Sequence, residues 1–233
     1  MTNRRCLHIG ALAAAGLAVV VGAFLLDQPL TGVVPKTLGS GDLERELEAF
    51  GQWGQAGATV LLIVILVRVQ PQRWRRSLDL ALAMGVVAVV VQLLKATIGR
   101  VRPKHDDAVS FDGWLLSVGD IPEGLSHYDL SSMPSGHTAA AVVFSAFIAI
   151  LWPRLRGVAI VMACIVAFSR VSFSAHWVAD VCAGALLGFV IGVPMIRCNA
   201  GIRLIDWIWR VAVDRKATPA LPALKAYEAS LRD

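Results

Sequence analysis

The sequence contains few charged residues for its length. Asp, Glu, Lys and Arg make up 17% of its 233 residues, whereas hydrophobic residues make up 56%. A soluble domain of this size needs a more polar surface than this composition provides. The mean hydropathy is +0.64, and the apolar residues are concentrated in long runs, as in membrane proteins. The composition therefore excludes a soluble globular protein and predicts one membrane domain.

Two further scarcities exclude other classes of protein. The chain has four cysteines, and no two of them have the spacing of metal ligands. The formal net charge is +5, but no Lys/Arg-rich block with interleaved aromatic residues occurs, so nucleic acid is not a predicted partner. The arginines lie instead at the ends of apolar runs, where such residues fix the orientation of a protein in the membrane.

The apolar runs predict an all-α, polytopic membrane protein with six transmembrane helices. Each run approaches the roughly 20 residues that cross a bilayer, and lipid leaves the backbone no partners except those within a helix. The first run could also be a cleaved signal peptide, but no small-residue cleavage site follows its core, so an uncleaved span is preferred. The six runs are Ile9–Leu26, Gly54–Val69, Leu78–Ile98, His137–Trp152, Val158–Ser172 and Trp177–Ile196.

The loop charges predict the orientation of these spans. An excess of cations marks the cytoplasmic side, so both termini are predicted inside and the loop 100–136 outside. The tail 217–233 is predicted to be a loose cytoplasmic end. The cations on the predicted cytoplasmic side are Arg4, Arg5, Arg68, Arg73, Arg75, Arg76, Arg154, Arg156, Arg197, Arg203 and Arg210. Those on the other side, apart from three considered below, are Lys36, Arg45, Arg100 and Lys104.

Two stretches outside the spans have apolar residues along one helical face. Asp42–Trp53 and Ile202–Val213 both fit amphipathic helices that lie on the membrane surface. Simple extensions of the neighbouring helices explain the two patterns equally well.

Ionisable residues in or beside a bilayer are costly, so each one needs a reason. Lys95 lies near the outer end of the third span, and Arg102 follows seven residues later, where Pro103 favours a helix end. Ser135-Gly136-His137 precedes the fourth span, with Ser135 as a candidate N-cap and the free backbone N–H groups as an anion site. Taken alone, snorkelling cations and an ordinary cap would also explain these two motifs.

A third polar motif precedes the sixth span. His176 and Asp180 are four residues apart, which predicts that both lie on one face of a helix. A carboxylate on one ring nitrogen would orient the imidazole and leave the other nitrogen as a base or nucleophile. Arg170 ends the preceding span nearby. A buried structural ion pair is the alternative interpretation, but the three motifs together supply the cations and the nucleophile that phosphoryl transfer requires.

These residues resemble the signature of the type 2 phosphatidic acid phosphatase (PAP2) superfamily, the lipid phosphate phosphatases. Its three parts correspond here to Lys95-x6-Arg102-Pro103, Pro134-Ser135-Gly136-His137 and Ser169-Arg170-x5-His176-x3-Asp180, with every position filled. The combination is highly specific, whereas a single Pro-Ser-Gly-His would not be. The resemblance extends over most of the chain through the six-span layout of a PAP2-type bundle.

The resemblance also implies roles for these residues. Lys95, Arg102 and Arg170 would bind the phosphate oxygens, with help from Ser135 and the backbone of Gly136. His176 would attack phosphorus and form a phosphohistidine. Asp180 would orient His176 and stabilise its charge. His137 would protonate the leaving group and then activate water. The family needs no metal or other cofactor, and the sequence offers no carboxylate cluster suited to magnesium.

The outward loop from Lys104 to Met133 is the part that the sequence determines least. It is rich in acidic residues, but their spacing fits no calcium-binding loop, so a solvated loop is favoured. Its position suggests a lid that contributes to the choice of headgroup. The acidic residues are Asp106, Asp107, Asp112, Asp120, Glu123 and Asp129.

Three functions are consistent with the sequence. The preferred one is dephosphorylation of a membrane lipid at the outer, periplasmic face of a bacterial inner membrane. Undecaprenyl pyrophosphate, phosphatidylglycerophosphate, phosphatidic acid and a lipid A phosphate would each suit the motifs. A phosphotransferase that uses the same site is the alternative, and a non-catalytic membrane scaffold is the remote one. The oligomeric state is not legible from the sequence.

Overall fold

The computed structural model describes residues 2–33, 41–105 and 123–231. These residues form α-helices without a strand, which confirms the predicted all-α class. Short 3₁₀ turns begin at three prolines: Pro71, Pro103 and Pro153. The helices are α1 Thr2–Val33, α2 Asp42–Phe50, α3 Ala56–Val69, α4 Arg76–Ile98, α5 Gly136–Leu151, α6 Arg156–Ser172, α7 Val178–Leu187, α8 Val193–Arg197, α9 Ala200–Ala212 and α10 Ala220–Ser230.

Three helical stretches of the described chain are long and apolar enough to cross a membrane. They are Arg76–Ile98, Pro153–Ser172 and Val178–Arg197, the last of which contains a π-helical segment at Gly188–Gly192. Three shorter apolar stretches are Ala13–Leu25, Ala56–Val69 and Gly136–Leu151. Each of the six predicted runs thus falls on an apolar helix, and the count of six crossings stays a prediction.

Two predicted helix ends are wrong. The first predicted span closes at Leu26, but α1 continues through Asp27 and contains Pro29 within its length. Helix α4 ends at Ile98, as the third predicted span does, and does not continue to the helix end that Pro103 favours at Arg102, because Gly99 adopts a left-handed conformation with φ 62°. Residues 106–122 of the predicted lid lie outside the described residues.

Helices α4 and α5 form the centre of the bundle. Their buried faces include Leu80, Val87, Val143 and Phe147, which pack together in one core cluster. Helix α6, by contrast, exposes apolar side chains such as Val161, which is 57% exposed. A helix that is apolar on its exposed side as well as on its packed side is suited to lipid rather than water.

A row of glycines allows the last span to approach α5 closely. Gly184, Gly188 and Gly192 face α5, and a Cβ atom added to any of them would clash with it. The closest approach is at Gly184, where an added Cβ atom would lie 2.3 Å from the carbonyl oxygen of Ser135. Small residues are the usual means of close helix contact in membranes. This row of three glycines, the glycine seam, brings the start of α5 against α7.

The end of the chain is ordered by ion pairs, so the prediction of a loose tail is wrong for its described residues. Helix α10 places Glu228 against Arg76, whose Nη2 lies 2.5 Å from Oε2, and against Arg73 at 3.4 Å. Arg76 also contacts Asp79 at 3.2 Å. Two arginines that were counted as loop charges are therefore paired and buried, which their position in the sequence does not reveal.

The second amphipathic stretch is a helix of its own. Asn199 adopts a left-handed conformation with φ 55° and separates α8 from α9, which excludes a simple extension of the last span. Helix α9 leaves Trp207 62% exposed and buries Ile202. The exposed apolar residues are consistent with contact between α9 and the membrane surface.

Replacement of Gly184 by alanine should destabilise the protein. The added methyl group would overlap the Ser135 carbonyl group, and overpacking of this kind costs roughly 1–3 kcal/mol. Thermal unfolding of the detergent-purified protein would measure the loss. Gly22→Ala in α1 is the matched control, because an added Cβ atom there meets nothing within 4 Å. Equal midpoints for the two variants would contradict the seam.

Replacement of Glu228 by glutamine should also lower the unfolding temperature, through loss of about 2 kcal/mol of charged hydrogen bonds. Burial alone raises the pKa of Glu228, but Arg76 and Arg73 hold it below its ordinary value of 4.5. The stabilisation is therefore full above pH 4.5 and is lost as the pH falls through the lower folded-state value. The exposed Lys225→Gln is the control, and a pH-independent difference between wild type and Glu228→Gln would contradict the ion pair.

Candidate active site

One cavity brings together five of the eight predicted site residues. It has a volume of about 360 Å³ and lies where α4 and α6 end and α5 begins. The predicted residues in its lining are Lys95, Arg102, His137, Arg170 and His176. Sequence reasoning missed the remaining lining residues, which are Gln92, His127, Tyr128, Ser131 and Ala175.

Arg102 reaches the cavity from an extended segment rather than from a helix. The segment pairs with the end of the outward loop, since the Arg102 amide donates to the Asp129 carbonyl oxygen and the Ser132 amide donates to that of Arg100. The guanidinium of Arg102 donates to the carbonyl oxygens of Tyr128 at 2.8 Å and Ala175 at 2.6 Å. It also lies 3.8 Å from the centroid of the Tyr128 ring. These contacts fix the cation at the wall of the cavity.

The helix α2 lies close to the cation of Arg170. The Nη2 atom of Arg170 is only 2.6 Å from the position that a Cβ atom on Gly51 would take. Gly51 is the residue that follows α2, and its lack of a side chain leaves room for the guanidinium. Arg170 Nε also donates to the hydroxyl of Ser169 at 3.3 Å. A side chain at Gly51 would displace Arg170.

Ser135 is the N-cap of α5, as its sequence position predicted. Its hydroxyl accepts from the Thr138 amide at 3.5 Å, and its own amide donates to the Asp180 carbonyl oxygen at 2.9 Å. The side chain is fully buried behind the cavity wall, so it supports the helix start and does not line the cavity. His137 follows in the first turn of α5 and does line it.

His176 lies in a tight turn between two helices. Helix α6 ends at Ser172, Ser174 has a positive φ of 50°, and α7 begins at Val178. The amide of His176 donates to the carbonyl oxygen of Arg170 at 3.2 Å, which closes the turn. The expectation that His176 lies on a helix face is therefore wrong. The turn still brings it within reach of Asp180 and leaves only 3% of it exposed.

Asp180 contacts His176 but is held mainly by other groups. His176 Nδ1 lies 3.6 Å from Asp180 Oδ2, which is longer than a hydrogen bond. The same oxygen accepts from the Ser132 hydroxyl at 2.5 Å and from the Trp177 amide at 2.9 Å. Within the described residues, His176 Nδ1 is buried without a hydrogen-bond partner. The imidazole therefore lies next to a carboxylate whose position is already fixed.

Asp180 also forms an ion pair with Arg100, which sequence reasoning placed among the loop cations. Arg100 Nη1 lies 2.7 Å from Asp180 Oδ1, and Nη2 lies 2.6 Å from Asp27 Oδ2. Arg100 and Asp180 are fully buried, and Asp27 is 1% exposed. The signal that could have found this cluster was Asp27 itself, since a carboxylate beside an apolar run needs a cationic partner.

The described part of the outward loop is ordered by a second carboxylate. Asp129 Oδ2 accepts from the Ser126 amide at 3.0 Å and the Ser126 hydroxyl at 2.6 Å, and Oδ1 pairs with Lys104. Lys104 and Ser126 hold the pKa of Asp129 well below its usual range. The loop thereby presents Tyr128 to the cavity next to Arg102. No sequence pattern distinguishes Asp129 from the other acidic residues of the loop.

The cavity has the chemistry of an oxyanion site with an internal nucleophile. Lys95, Arg102 and Arg170 offer charged donors that suit the several oxygens of a phosphoryl group. An imidazole beside a fixed carboxylate can act as a base or a nucleophile. A second imidazole, from His137, lines the same cavity and can exchange a proton.

The sequence and the structure were compared with known proteins. The sequence model of the PAP2 superfamily matches residues 76–203, which is more than half of the chain. A lipid A 1-phosphatase of Rhizobium johnstonii is 31% identical over 53% of this chain and 50% of its own length. The lipid A 1-diphosphate synthase of Escherichia coli K12 is 32% identical over 52% of each chain. The chain thus spans about half the length of these curated relatives.

A solved structure is similar over a larger part of the chain. The crystal structure of LpxE from Aquifex aeolicus has a TM-score of 0.57 and 21% identity, over 74% of this chain and 95% of that one. At this level of identity the likeness supports the fold alone.

The cavity should bind inorganic phosphate, and replacement of Arg170 by glutamine should weaken that binding about tenfold. The loss corresponds to one charge-assisted hydrogen bond of about 1.5 kcal/mol. Isothermal titration of the detergent-purified protein with orthophosphate would measure it. Arg45→Gln is the control, because the side chain of Arg45 is 82% exposed and lies outside the cavity lining. Equal affinities of the two variants for orthophosphate would show that Arg170 does not bind the phosphate.

Proposed function

We propose that this chain, which belongs to the PAP2 superfamily, is an enzyme that removes phosphate from a membrane lipid. One observation carries the proposal. The cavity that gathers three cations and three histidines adjoins an apolar groove of about 640 Å³ between α3 and α4. Gln92, Lys95 and His137 line both spaces. A phosphate bound by the cations would therefore have room for an attached hydrocarbon chain at its side.

In the proposed first step, His176 attacks phosphorus through Nε2. A bond forms between nitrogen and phosphorus, and the bond from phosphorus to the lipid oxygen breaks with its electron pair on that oxygen. His137 gives a proton to the leaving oxygen. Asp180 stabilises the positive charge that develops on the ring of His176, for which their distance of 3.6 Å must shorten. Catalytic hydrogen bonds are often long before substrate binds.

In the proposed second step, water releases the phosphate. His137 takes a proton from water, a bond forms between the water oxygen and phosphorus, and the bond to His176 breaks. Lys95, Arg102 and Arg170 bind the equatorial oxygens in both steps, and the backbone N–H groups at Gly136 add to them. In this proposal the three side-chain cations supply the positive charge, and no metal or other cofactor takes part.

The proposal also places the site relative to the membrane. All of its residues come from one end of the bundle, and the paired arginines Arg73 and Arg76 lie toward the opposite end of α4. If the six apolar helices all cross the membrane, the excess of arginines puts that opposite end in the cytoplasm, with both termini. The site would then face the periplasm or the exterior.

The names of the relatives indicate which lipid to assay first. Two of the matched proteins are named for lipid A, which supports a lipid A phosphate as the first substrate to assay. Undecaprenyl pyrophosphate, phosphatidylglycerophosphate and phosphatidic acid belong on the same panel, since the cavity binds the phosphate that all of them share.

A second candidate function is transfer of the phosphate to another lipid. The observation in its favour is the similarity to the lipid A 1-diphosphate synthase of Escherichia coli, whose name describes formation of a diphosphate. The phosphohistidine would be the same, and a lipid phosphate would replace water as the acceptor. A non-catalytic scaffold is the remote alternative, and the gathering of five predicted site residues in one cavity argues against it.

Replacement of His176 by alanine should abolish phosphate release, because no other described imidazole lies against Asp180. The assay would use detergent-purified protein with a chelator, each of the four lipids, and a labelled phosphate. His105→Ala is the matched control, since His105 pairs with Asp129 outside the cavity lining. Loss of at least 10³-fold is expected for a missing nucleophile.

The products of the same assay separate the two candidates. Labelled free phosphate supports hydrolysis, and label in a lipid diphosphate supports transfer. Undiminished release by His176→Ala would refute both. Release that the chelator abolishes would refute the metal-free mechanism.

A further inference from the structure

We propose that Asp27 of α1 is a positioning residue for this reaction: it neutralises Arg100, so that Asp180 keeps its negative charge available to His176. The inference rests on the proposed function, because it concerns the charge on the proposed nucleophile. Asp27 is outside the motifs that carry the family resemblance and does not line the cavity. Its effect would reach His176 through two other residues.

The carboxylate of Asp27 lies behind the site, where it contacts both Arg100 and the backbone next to Asp180. Its Oδ2 lies 2.6 Å from Arg100 Nη2, and its Oδ1 accepts from the amide of Ala179 at 2.9 Å. Ala179 directly precedes Asp180 in the first turn of α7. Asp27 therefore holds both the cation that pairs with Asp180 and the backbone that carries it.

Counting charges explains why two carboxylates share one arginine. Arg100 and Asp180 alone would form a neutral pair, and a neutral pair has little field at a third group. With Asp27, these three side chains together carry one net negative charge. The rings of Phe24 and Trp177 lie 4.4 Å and 5.3 Å from the guanidinium of Arg100, so the cluster is shielded from water. Charges in such surroundings are weakly screened.

His176 needs this negative charge because its other charged neighbours are positive. The charged or titratable groups that line the cavity with it are Lys95 from α4, Arg102 from the following segment, His127 and Tyr128 from the outward loop, His137 from α5 and Arg170 from α6. The three cations disfavour a positive charge on the imidazole, including the one that forms when phosphorus is bound, and the two histidines add to this effect whenever they are protonated. In the described chain, Asp180 is the one carboxylate within 4.0 Å of His176. Its negative charge would be largely cancelled by Arg100 if Asp27 were neutral.

The first variant is Asp27→Asn, which preserves size and hydrogen bonding and removes one charge. The pH midpoint of His176 protonation should fall by about one pH unit, as expected for loss of one nearby negative charge. Nuclear magnetic resonance of ¹⁵N-histidine-labelled protein measures it directly, with the signal assigned through His176→Gln. In phosphate-release assays kcat should fall about tenfold with little change in KM. The acidic limb of the pH–rate profile should shift to lower pH, as the midpoint of His176 does.

The second variant is the double substitution Asp27→Asn with Arg100→Gln. It removes one charge of each sign and restores the single negative charge of Asp180. The midpoint of His176 should return toward the wild-type value, even if kcat stays low because the packing has changed. A merely structural role for Asp27 predicts no such return. Thermal unfolding in detergent would confirm that each variant is folded.

Asp79→Asn is the matched control. Asp79 is also 1% exposed, pairs with Arg76 and accepts from the backbone amide of Ile202, but lies at the opposite end of α4. It should lose stability without any shift in the midpoint of His176. An unchanged midpoint in Asp27→Asn, or equal shifts in the single and double variants, would overturn the proposal. Wild-type protein that releases no phosphate while the midpoints move as expected would count against the proposed function alone.

Discussion

The buried ion pairs among Asp27, Arg100 and Asp180 are the constraint on which the rest of the structure depends. A guanidinium with no exposed surface is tolerable only when carboxylates surround it, and here each of its two terminal nitrogens faces one. Loss of one partner from such a cluster typically costs about 3–5 kcal/mol, since it leaves an uncompensated charge. The helix α1, the segment after α4 and the start of α7 must therefore come together in the folded protein. The same contacts fix the carboxylate beside His176.

At the other end of the bundle, a second buried arginine is also paired with carboxylates. Arg76 lies between Asp79 of its own helix and Glu228 of α10, so helix α4 begins and ends beside a buried cluster of charges. Between the two clusters the contacts are apolar, with Leu80, Val87 and Val91 of α4 packed in the core. In an apolar bundle the few polar contacts determine how the helices are placed along one another, because apolar packing alone tolerates small shifts. The clusters thus determine the register, and the glycine seam determines the distance between α5 and α7.

The sequence predicted the parts of this arrangement that depend on local pattern. Apolar periodicity and length located the helices, Ser135 was recognised as an N-cap, and the motifs identified five of the seven charged or titratable residues that meet in the cavity. Contacts between distant residues were not predictable in this way. Arg100 finds its partners 73 and 80 positions away, and Arg76 finds Glu228 152 positions away. A helical pattern reports which face of a helix is buried but not which side chain lies opposite, so Arg100 and the tail were assigned to solvent.

The site places positive and negative charge on two different sides of one imidazole. In the cavity, in front of His176, the cations Lys95, Arg102 and Arg170 attract an anionic group. Behind it, Asp180 is held by Ser132, Trp177 and Arg100 and offers negative charge. A nucleophile that approaches an anion and then carries positive charge needs both the cations in the cavity and the carboxylate behind it. The two sets of charges oppose each other at His176, and they would largely cancel there if both were screened to the same extent. The carboxylates are buried and therefore weakly screened, whereas the cations line an open cavity and are screened more strongly. This difference explains why the negative side of the site lies in the packed core of the bundle.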